Sequence, residues 1–88
     1  MQVIIITPER TLLSCEARQV LVPGTKSPFA MLDQHQAIIS SLLPKGEVVI
    51  TKPDGSLVRI AIAGNSIVEQ HDNVVSILAT QASIVPAE

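Results

Sequence analysis

Short runs of apolar residues alternate with turn signals about every eight to twelve residues along the chain. This spacing is typical of all-β sandwiches and barrels. Apolar residues at helical spacing are sustained nowhere over twelve residues, which argues against helices. Pro8 and Pro23-Gly24 divide the first half, because proline cannot donate to a strand ladder. The strands predicted there are Gln2–Thr7, Thr11–Cys15, Ala17–Val22 and Phe29–Leu32. The segment Ala37–Leu43 is apolar except for Ser40-Ser41, and it is too short and β-branched for a helix.

Two hairpin turns are predicted in the second half of the chain. In Pro53-Asp54-Gly55, proline presets φ and glycine supplies a left-handed residue. His71-Asp72-Asn73 predicts the other turn, and Gly64-Asn65 is expected to break the apolar run between them. The strands that these signals separate are Glu47–Lys52, Ser56–Ala63, Ser66–Gln70, Val74–Ala79 and a candidate edge strand in the tail Gln81–Glu88.

These elements predict an all-β fold, a small antiparallel β-sandwich or flattened barrel of about eight to ten short strands, forming one domain over residues 1–88. The composition agrees, because eleven Ile and ten Val are β-branched and favour strands. Apolar residues make up 47% of the chain, although Phe29 is its only aromatic. This apolar surplus either fills a dense core or covers an interface, and the composition is compatible with both.

Charge and hydropathy exclude several classes of function. The net charge is −2 and the six basic residues are scattered, so nucleic-acid binding is not expected. Apolar runs of about four residues are far shorter than the roughly 18 of a membrane-spanning helix. The single cysteine, Cys15, excludes an intramolecular disulfide. The start of the chain does not resemble a secretory leader, so a cytosolic location is expected.

Candidate catalytic and metal-binding residues are few and dispersed. His35 and His71 lie in separate predicted turns, without the spacing of metal ligands. Cys15 lies in an apolar strand, where thiols are usually inert, and Ser40-Ser41 lacks the glycines of a nucleophile elbow. We therefore expect no catalytic residue, no metal and no cofactor. An enzyme that uses Cys15 or the histidines is kept as a third hypothesis.

The connection Pro23–His35 is long and irregular for so small a domain. Its polar centre, Lys26-Ser27-Pro28, is expected to contact a partner, because loops on rigid scaffolds commonly carry function. Phe29 follows directly. It either plugs the open end of the sandwich or contributes to the same contact.

A series of short motifs runs through the chain in a characteristic order. The motifs are Thr7-Pro8-Glu9, Val22-Pro23-Gly24, Met31-Leu32 with His35, Ala37–Leu42, Lys45-Gly46, Ala63-Gly64, Val68-Glu69 and Asn73–Ala79. In order and spacing, this series resembles the N-terminal β-sandwich of the epsilon subunit of F-type ATP synthases. The resemblance covers roughly residues 2–82.

The chain departs from this family pattern at four places. Lys26-Ser27-Pro28 replaces an acidic-glycine loop tip, and Asp33-Gln34-His35 keeps only the histidine of Pro-Gly-His. Asn65 replaces a second glycine and still tolerates a positive φ. The 88 residues contain no counterpart of the C-terminal helical hairpin of most relatives, so its inhibitory and ATP-binding functions are not carried over to this chain. The chain is expected to be a short form, and a truncation is the alternative.

The resemblance implies a non-catalytic rotor subunit in the central stalk. Such a subunit clamps the gamma subunit to the ring of c subunits, and couples proton or sodium flow to ATP synthesis. By position in the family pattern, the gamma-contact residues are Thr7, His35 and Ser40, and the ring-facing loop residues are Lys26, Ser27 and Pro28.

The implied location is the cytoplasmic face of the bacterial inner membrane, with membrane association only through the complex. The alternative is a stand-alone β-sandwich adaptor that binds other proteins. Binding to gamma distinguishes the two.

Overall fold

The computed structural model describes residues 1–34 and 36–86, and its regular structure consists of strands alone. This confirms the predicted all-β class. Among the described residues, no helix has the length and hydropathy to span a membrane. The eight strands are β1 (Gln2–Ile6), β2 (Thr11–Glu16), β3 (Gln19–Val22), β4 (Phe29–Leu32), β5 (Ile38–Ser41), β6 (Lys45–Thr51), β7 (Leu57–His71) and β8 (Val74–Ile84).

The strands are hydrogen-bonded in the order β2-β1-β8-β7-β6-β3-β4, and β5 pairs with β7. All these pairs are antiparallel, as predicted, except that β1 lies parallel to β8. The first and last strands are therefore neighbours. A parallel pair requires a long crossover, and here the crossover is the rest of the domain.

The predicted strand break at Gly64-Asn65 is wrong. Strand β7 continues through this point with a bulge, and its register with β8 shifts between Ala63 and Ser66. Gly64 takes a φ of +82° there, whereas Asn65 keeps an ordinary φ. The tail likewise continues β8 as far as Ile84 instead of forming a separate strand.

The bulge bends the β7–β8 hairpin, because a bulged strand kinks and twists locally. Residues 67–70 of β7 pair with β5, whereas residues 57–63 pair with β6. The first layer of the sandwich thus contains β2, β1, residues 74–79, residues 66–71 and β5. The second layer contains residues 81–84, residues 57–63, β6, β3 and β4.

Inward-facing side chains of both layers form one core. Alternation along the strands produces it: in β7, Ile60 and Ile62 are buried, whereas Ala61 between them is only half-buried and Arg59 before them is exposed. Phe29 is half-buried and packs against this core. Of the two roles considered for Phe29, this favours closing the open end of the sandwich over contacting a partner. The fully buried apolar side chains are Val3, Ile5, Val20, Val22, Met31, Val48, Ile50, Ile60, Val68, Val75 and Ile77.

The predicted turn between β7 and β8 is confirmed as the two-residue loop Asp72-Asn73, with φ values of 53° and 62°. Positive φ at both positions characterises the type I′ turns that suit hairpin twist. The Asn73 amide donates to Asp33 Oδ1 at 2.7 Å and accepts from the Gln34 backbone N–H at 2.9 Å. The Met1 ammonium donates to the same Asp33 oxygen at 3.1 Å. This network joins the N-terminus, the β4–β5 connection and the β7–β8 turn.

Candidate functional site

An apolar row crosses three strands on the outer side of the first layer. Ile6 of β1 is the Cα partner of Leu78 in β8, and Leu78 is the partner of Ile67 in β7. Residues directly opposite on neighbouring strands have side chains in contact range. Because Ile5, Ile77 and Val68 beside them point into the core, the three members of the row point outward.

Further aliphatic side chains flank this row, although in the neighbouring register row Ser76 of β8 and Glu69 of β7 lie between Ile4 and Ile39. Leu78, Ile67 and Ile39 are 43%, 38% and 68% exposed, and Ile39 on β5 is the most exposed large apolar residue of the described chain. Ile4 is half-buried on the same side of β1. We call this patch the outer apolar face; its residues are Ile4, Ile6, Ile39, Ile67 and Leu78.

A groove of about 740 Å³ adjoins the outer apolar face at the end of the sandwich where β1 stops. Thr7 stands on its rim in a tight turn, since its N–H donates to the Arg10 carbonyl at 2.9 Å and the Arg10 N–H donates back at 3.2 Å. On the other rim, Gly64 donates its N–H to the Pro44 carbonyl at 2.9 Å. The other lining residues are Ile6, Pro8, Ser41, Leu42, Asn65, Ser66, Ile67, Leu78, Ala79 and Thr80.

Of the other two predicted gamma-contact residues, Ser40 does not line this groove, and His35 is not among the residues that the structure describes. Ser40 on β5 is half-buried, with Val68 as its Cα partner, and its hydroxyl donates to the Ser41 carbonyl at 3.3 Å.

The predicted ring-facing residues Lys26, Ser27 and Pro28 are all exposed, between β3 and β4. The loop is packed tightly at its base: a Cβ on Gly24 would lie 2.5 Å from the Ser27 carbonyl oxygen and 2.9 Å from the Phe29 ring. Gly24 also bridges Leu42, which lines the groove. The loop and Thr7 therefore lie at the same end of the sandwich.

The remaining candidate groups form no reactive constellation in the described chain. Burial raises the pKa of the half-buried Cys15 thiol, which disfavours the nucleophilic thiolate. His71 Nδ1 lies 3.0 Å from the Asp72 carboxylate in the exposed hairpin turn. Residues 1–34 and 36–86 contain no group of three side chains suited to hold a metal ion.

Comparison with known proteins shows the family. Residues 1–85 match the family model for the β-sandwich domain of the ATP synthase delta/epsilon chain. The chain belongs to this family. It is 41% identical over 81 residues to the ATP synthase epsilon chain of Desulforudis audaxviator, covering 92% of this chain and 57% of that one. It is 39% identical over 62 residues to the epsilon chain of Sulfurovum sp. (strain NBC37-1), covering 70% and 48%.

Two chains in solved structures share the fold. A chain of the Euglena gracilis mitochondrial ATP synthase matches with a TM-score of 0.81 at 15% identity, over 93% of this chain and 51% of that one. A chain in the central stalk and c-ring structure of the Tetrahymena thermophila mitochondrial ATP synthase matches with a TM-score of 0.75 at 17% identity, over 94% and 65%. The present chain spans about half the length of the curated epsilon relatives it matches.

Sequence reasoning missed the outer apolar face of this family member. A signal was present, because β1 and the start of β8 are nearly continuous apolar runs instead of alternating ones. Continuous runs indicate strands that are covered on both faces. The groove had no comparable signal, since its rim joins segments as distant in sequence as Thr7, Pro44 and Thr80.

Proposed function

We propose that this chain is a non-catalytic subunit of the central stalk of an ATP synthase, and that it joins the gamma subunit to the c-subunit ring. Membership of the delta/epsilon family supports the assignment to this complex. The observation that carries the docking role is the outer apolar face, where Ile6, Leu78 and Ile67 form an uninterrupted row. Such a patch marks an interaction surface when it is contiguous and exposed.

The gamma subunit is the proposed occupant of the outer apolar face and the adjoining groove. Thr7, one of the residues that the family pattern assigns to this contact, lies on the groove rim. Covering an exposed aliphatic side chain such as Leu78 stabilises a complex by about 1 kcal/mol or more, at roughly 25 cal/mol per Å² of apolar surface. Several such side chains supply the affinity of a specific contact.

The ring-facing contact is proposed for the exposed loop Lys26-Ser27-Pro28. No carboxylate of the described residues pairs with Lys26, so its ammonium is available to an acidic group or a carbonyl of the ring. An exposed pair of this kind contributes no more than about 1 kcal/mol. The loop therefore adds orientation more than affinity. The location proposed with it is the cytoplasmic face of a bacterial inner membrane, with the chain bound only through the complex.

Transmission of torque requires a stiff connection between the two contacts. Both layers share the continuous β7–β8 hairpin and enclose one core, and protein cores are packed as densely as organic crystals. The loop and the groove are linked directly, because Leu43 donates its N–H to the Pro23 carbonyl at 2.8 Å. A load applied at the loop therefore passes into the sheet without a flexible linker.

Binding to the cognate gamma subunit tests the proposal. The 88-residue chain is expected to bind purified gamma, and Leu78→Ser should weaken binding about tenfold or more, because the variant removes apolar contact from the middle of the row. Leu57→Ser is the matched control, since Leu57 is 61% exposed on the second layer. It should change affinity less than about twofold.

Two results would contradict the proposal. One is the failure of the folded wild-type chain to bind gamma at micromolar concentration, which would leave the stand-alone adaptor as the better hypothesis. The other is equal weakening by Leu78→Ser and Leu57→Ser, which would place the contact elsewhere.

A further inference from the structure

Strand β5 presents one unpaired edge, since β7 is its only strand partner in the described chain. Leu42, which follows β5, donates its N–H to the Ser66 carbonyl at 2.9 Å. In an antiparallel pair, hydrogen-bonded and non-hydrogen-bonded residues alternate. Counting back in the same register, Ser40 and Ile38 bond to β7, whereas the N–H and C=O of Ile39 point away from it.

The open part of this edge is short and centres on Ile39. Beyond Ser41, the segment Pro23-Gly24 occupies the edge, through the Leu43 N–H bond to the Pro23 carbonyl and the bridge between Gly24 and Leu42. The open part of the edge therefore lies within β5. The side chain of Ile39 adjoins this opening and is 68% exposed.

This edge lacks the devices that usually protect exposed strand edges, which are charges, prolines and bulges. Strand β5 reads Ile-Ile-Ser-Ser and its pairing with β7 is regular. Strands β2 and β4 differ, whereas residues 81–84 of β8, the outer segment of the second layer, are likewise uncharged. Strand β2 has a bulge against β1 and ends at Glu16, and β4 is bracketed by Pro28 and Asp33.

We propose that the main chain of Ile39 pairs with a short extended segment of the gamma subunit, which adds a strand to the first layer. The inference rests on the proposed function and specifies how the contact is made. In this mode main-chain hydrogen bonds supply affinity, and alternate side chains supply specificity. The gamma residue opposite Ile39 should be apolar, because it would extend the outer apolar face beside the Ile39 side chain. Ser40, a residue that the family pattern assigns to the gamma contact, lies on this strand.

A proline substitution separates a main-chain contact from a side-chain contact. Ile39→Pro removes the outward N–H and spares the ladder with β7, and proline is tolerated where the N–H of an edge strand faces solvent. Ile39→Ala keeps the N–H and removes most of the side chain. Both variants are expected to unfold within a few degrees of each other. Ile39→Pro should bind gamma at least about tenfold more weakly than Ile39→Ala.

Amide hydrogen exchange gives a readout that needs no variant. In the wild-type chain, exchange at the Ile39 amide should slow at least tenfold when gamma is added, while the Leu57 amide serves as a distant reference. The inference is overturned if Ile39→Pro and Ile39→Ala bind equally and the Ile39 amide is not protected by gamma. It is also overturned if this amide is protected in concentrated chain without gamma, because a second copy then occupies the edge. Absence of any wild-type binding rejects the proposed function itself, and the inference with it.

Discussion

Replacement of Gly64 by alanine tests the claim that the corner between the two layers depends on this residue. Gly64 has a φ of +82°, in the region that L-residues avoid. A Cβ added there would lie 2.6 Å from Thr80 Cβ and 2.9 Å from Thr80 Oγ1. Thr80 cannot move freely, because its hydroxyl accepts the Asn65 N–H at 3.1 Å. The substitution therefore combines backbone strain with a steric overlap.

The two costs can be estimated separately. A left-handed conformation costs a residue with a Cβ roughly 1–2 kcal/mol, and forcing an extra carbon into a tight site costs about 1–3 kcal/mol. Gly64→Ala should thus lower the free energy of unfolding by about 2–5 kcal/mol. Gly55 offers the matched control. It has a φ of +90°, but the nearest atom to its added Cβ, a guanidinium nitrogen of Arg18, is 3.9 Å away. Gly55→Ala should show the backbone cost alone.

Thermal and urea unfolding of the wild type and the two variants measures the difference. In a domain of this size each kcal/mol shifts Tm by about 4–8 °C, so Gly64→Ala should melt at least about 8 °C below the wild type. It should also melt clearly below Gly55→Ala. Equal Tm values for the two alanine variants would refute the reasoning, because the overlap with Thr80 would then have no energetic consequence.

Two further predictions concern single polar side chains. Gln70 is only 1% exposed and its amide has no hydrogen-bond partner among the described residues. Gln70→Met should therefore raise the free energy of unfolding by about 1 kcal/mol or more, which urea unfolding would show as a higher midpoint concentration. A lower midpoint would contradict this. Hydrogen bonds from the Asn73 amide and, after it, from the Met1 ammonium lower the pKa of Asp33 in the folded chain. The ionised Asp33 carboxylate therefore stabilises the fold fully above the pKa of an unfolded Asp, about 3.9. This stabilisation is lost as the pH falls through the lower pKa of the folded state. Tm should therefore fall more steeply below pH 4 in the wild type than in Asp33→Asn, whereas parallel curves would argue against the network.

The parts of the fold that were predicted correctly are those set by local chemistry. Pro53-Asp54-Gly55 and Asp72-Asn73 form turns because their residues favour the required φ angles. The prediction of a strand end at Gly64-Asn65 was wrong for a physical reason: a β-bulge and a turn that ends a strand both favour a glycine with positive φ. The sequence alone does not distinguish them. The bulge exists only because β8 pairs on both sides of it.

The candidate site was less accessible to sequence reasoning, because it depends on contacts between distant segments. The family pattern predicted Thr7 and the loop Lys26-Ser27-Pro28, and the structure adds that they lie at one end of the sandwich, linked through Leu42. The row of the outer apolar face joins residues 6, 78 and 67. Its alignment depends on the parallel register between β1 and β8, which no local signal specifies.

The distribution of exposed aliphatic side chains bears on whether the apolar surplus fills the core or covers an interface. Both layers expose large residues, but only the first aligns them. On the second layer, Leu32 and Leu57 are separated by Gln19 and Thr51 in the cross-strand register. On the first, the row from Ile6 to Ile67 has no polar interruption, although Ser76 and Glu69 separate Ile4 from Ile39 in the neighbouring row. Interface hot spots are usually Trp, Tyr and Arg, and the outer apolar face contains none. In the proposed complex, any aromatic anchor must therefore come from the gamma subunit, and the groove beside Thr7, which adjoins this face, offers a cavity for it.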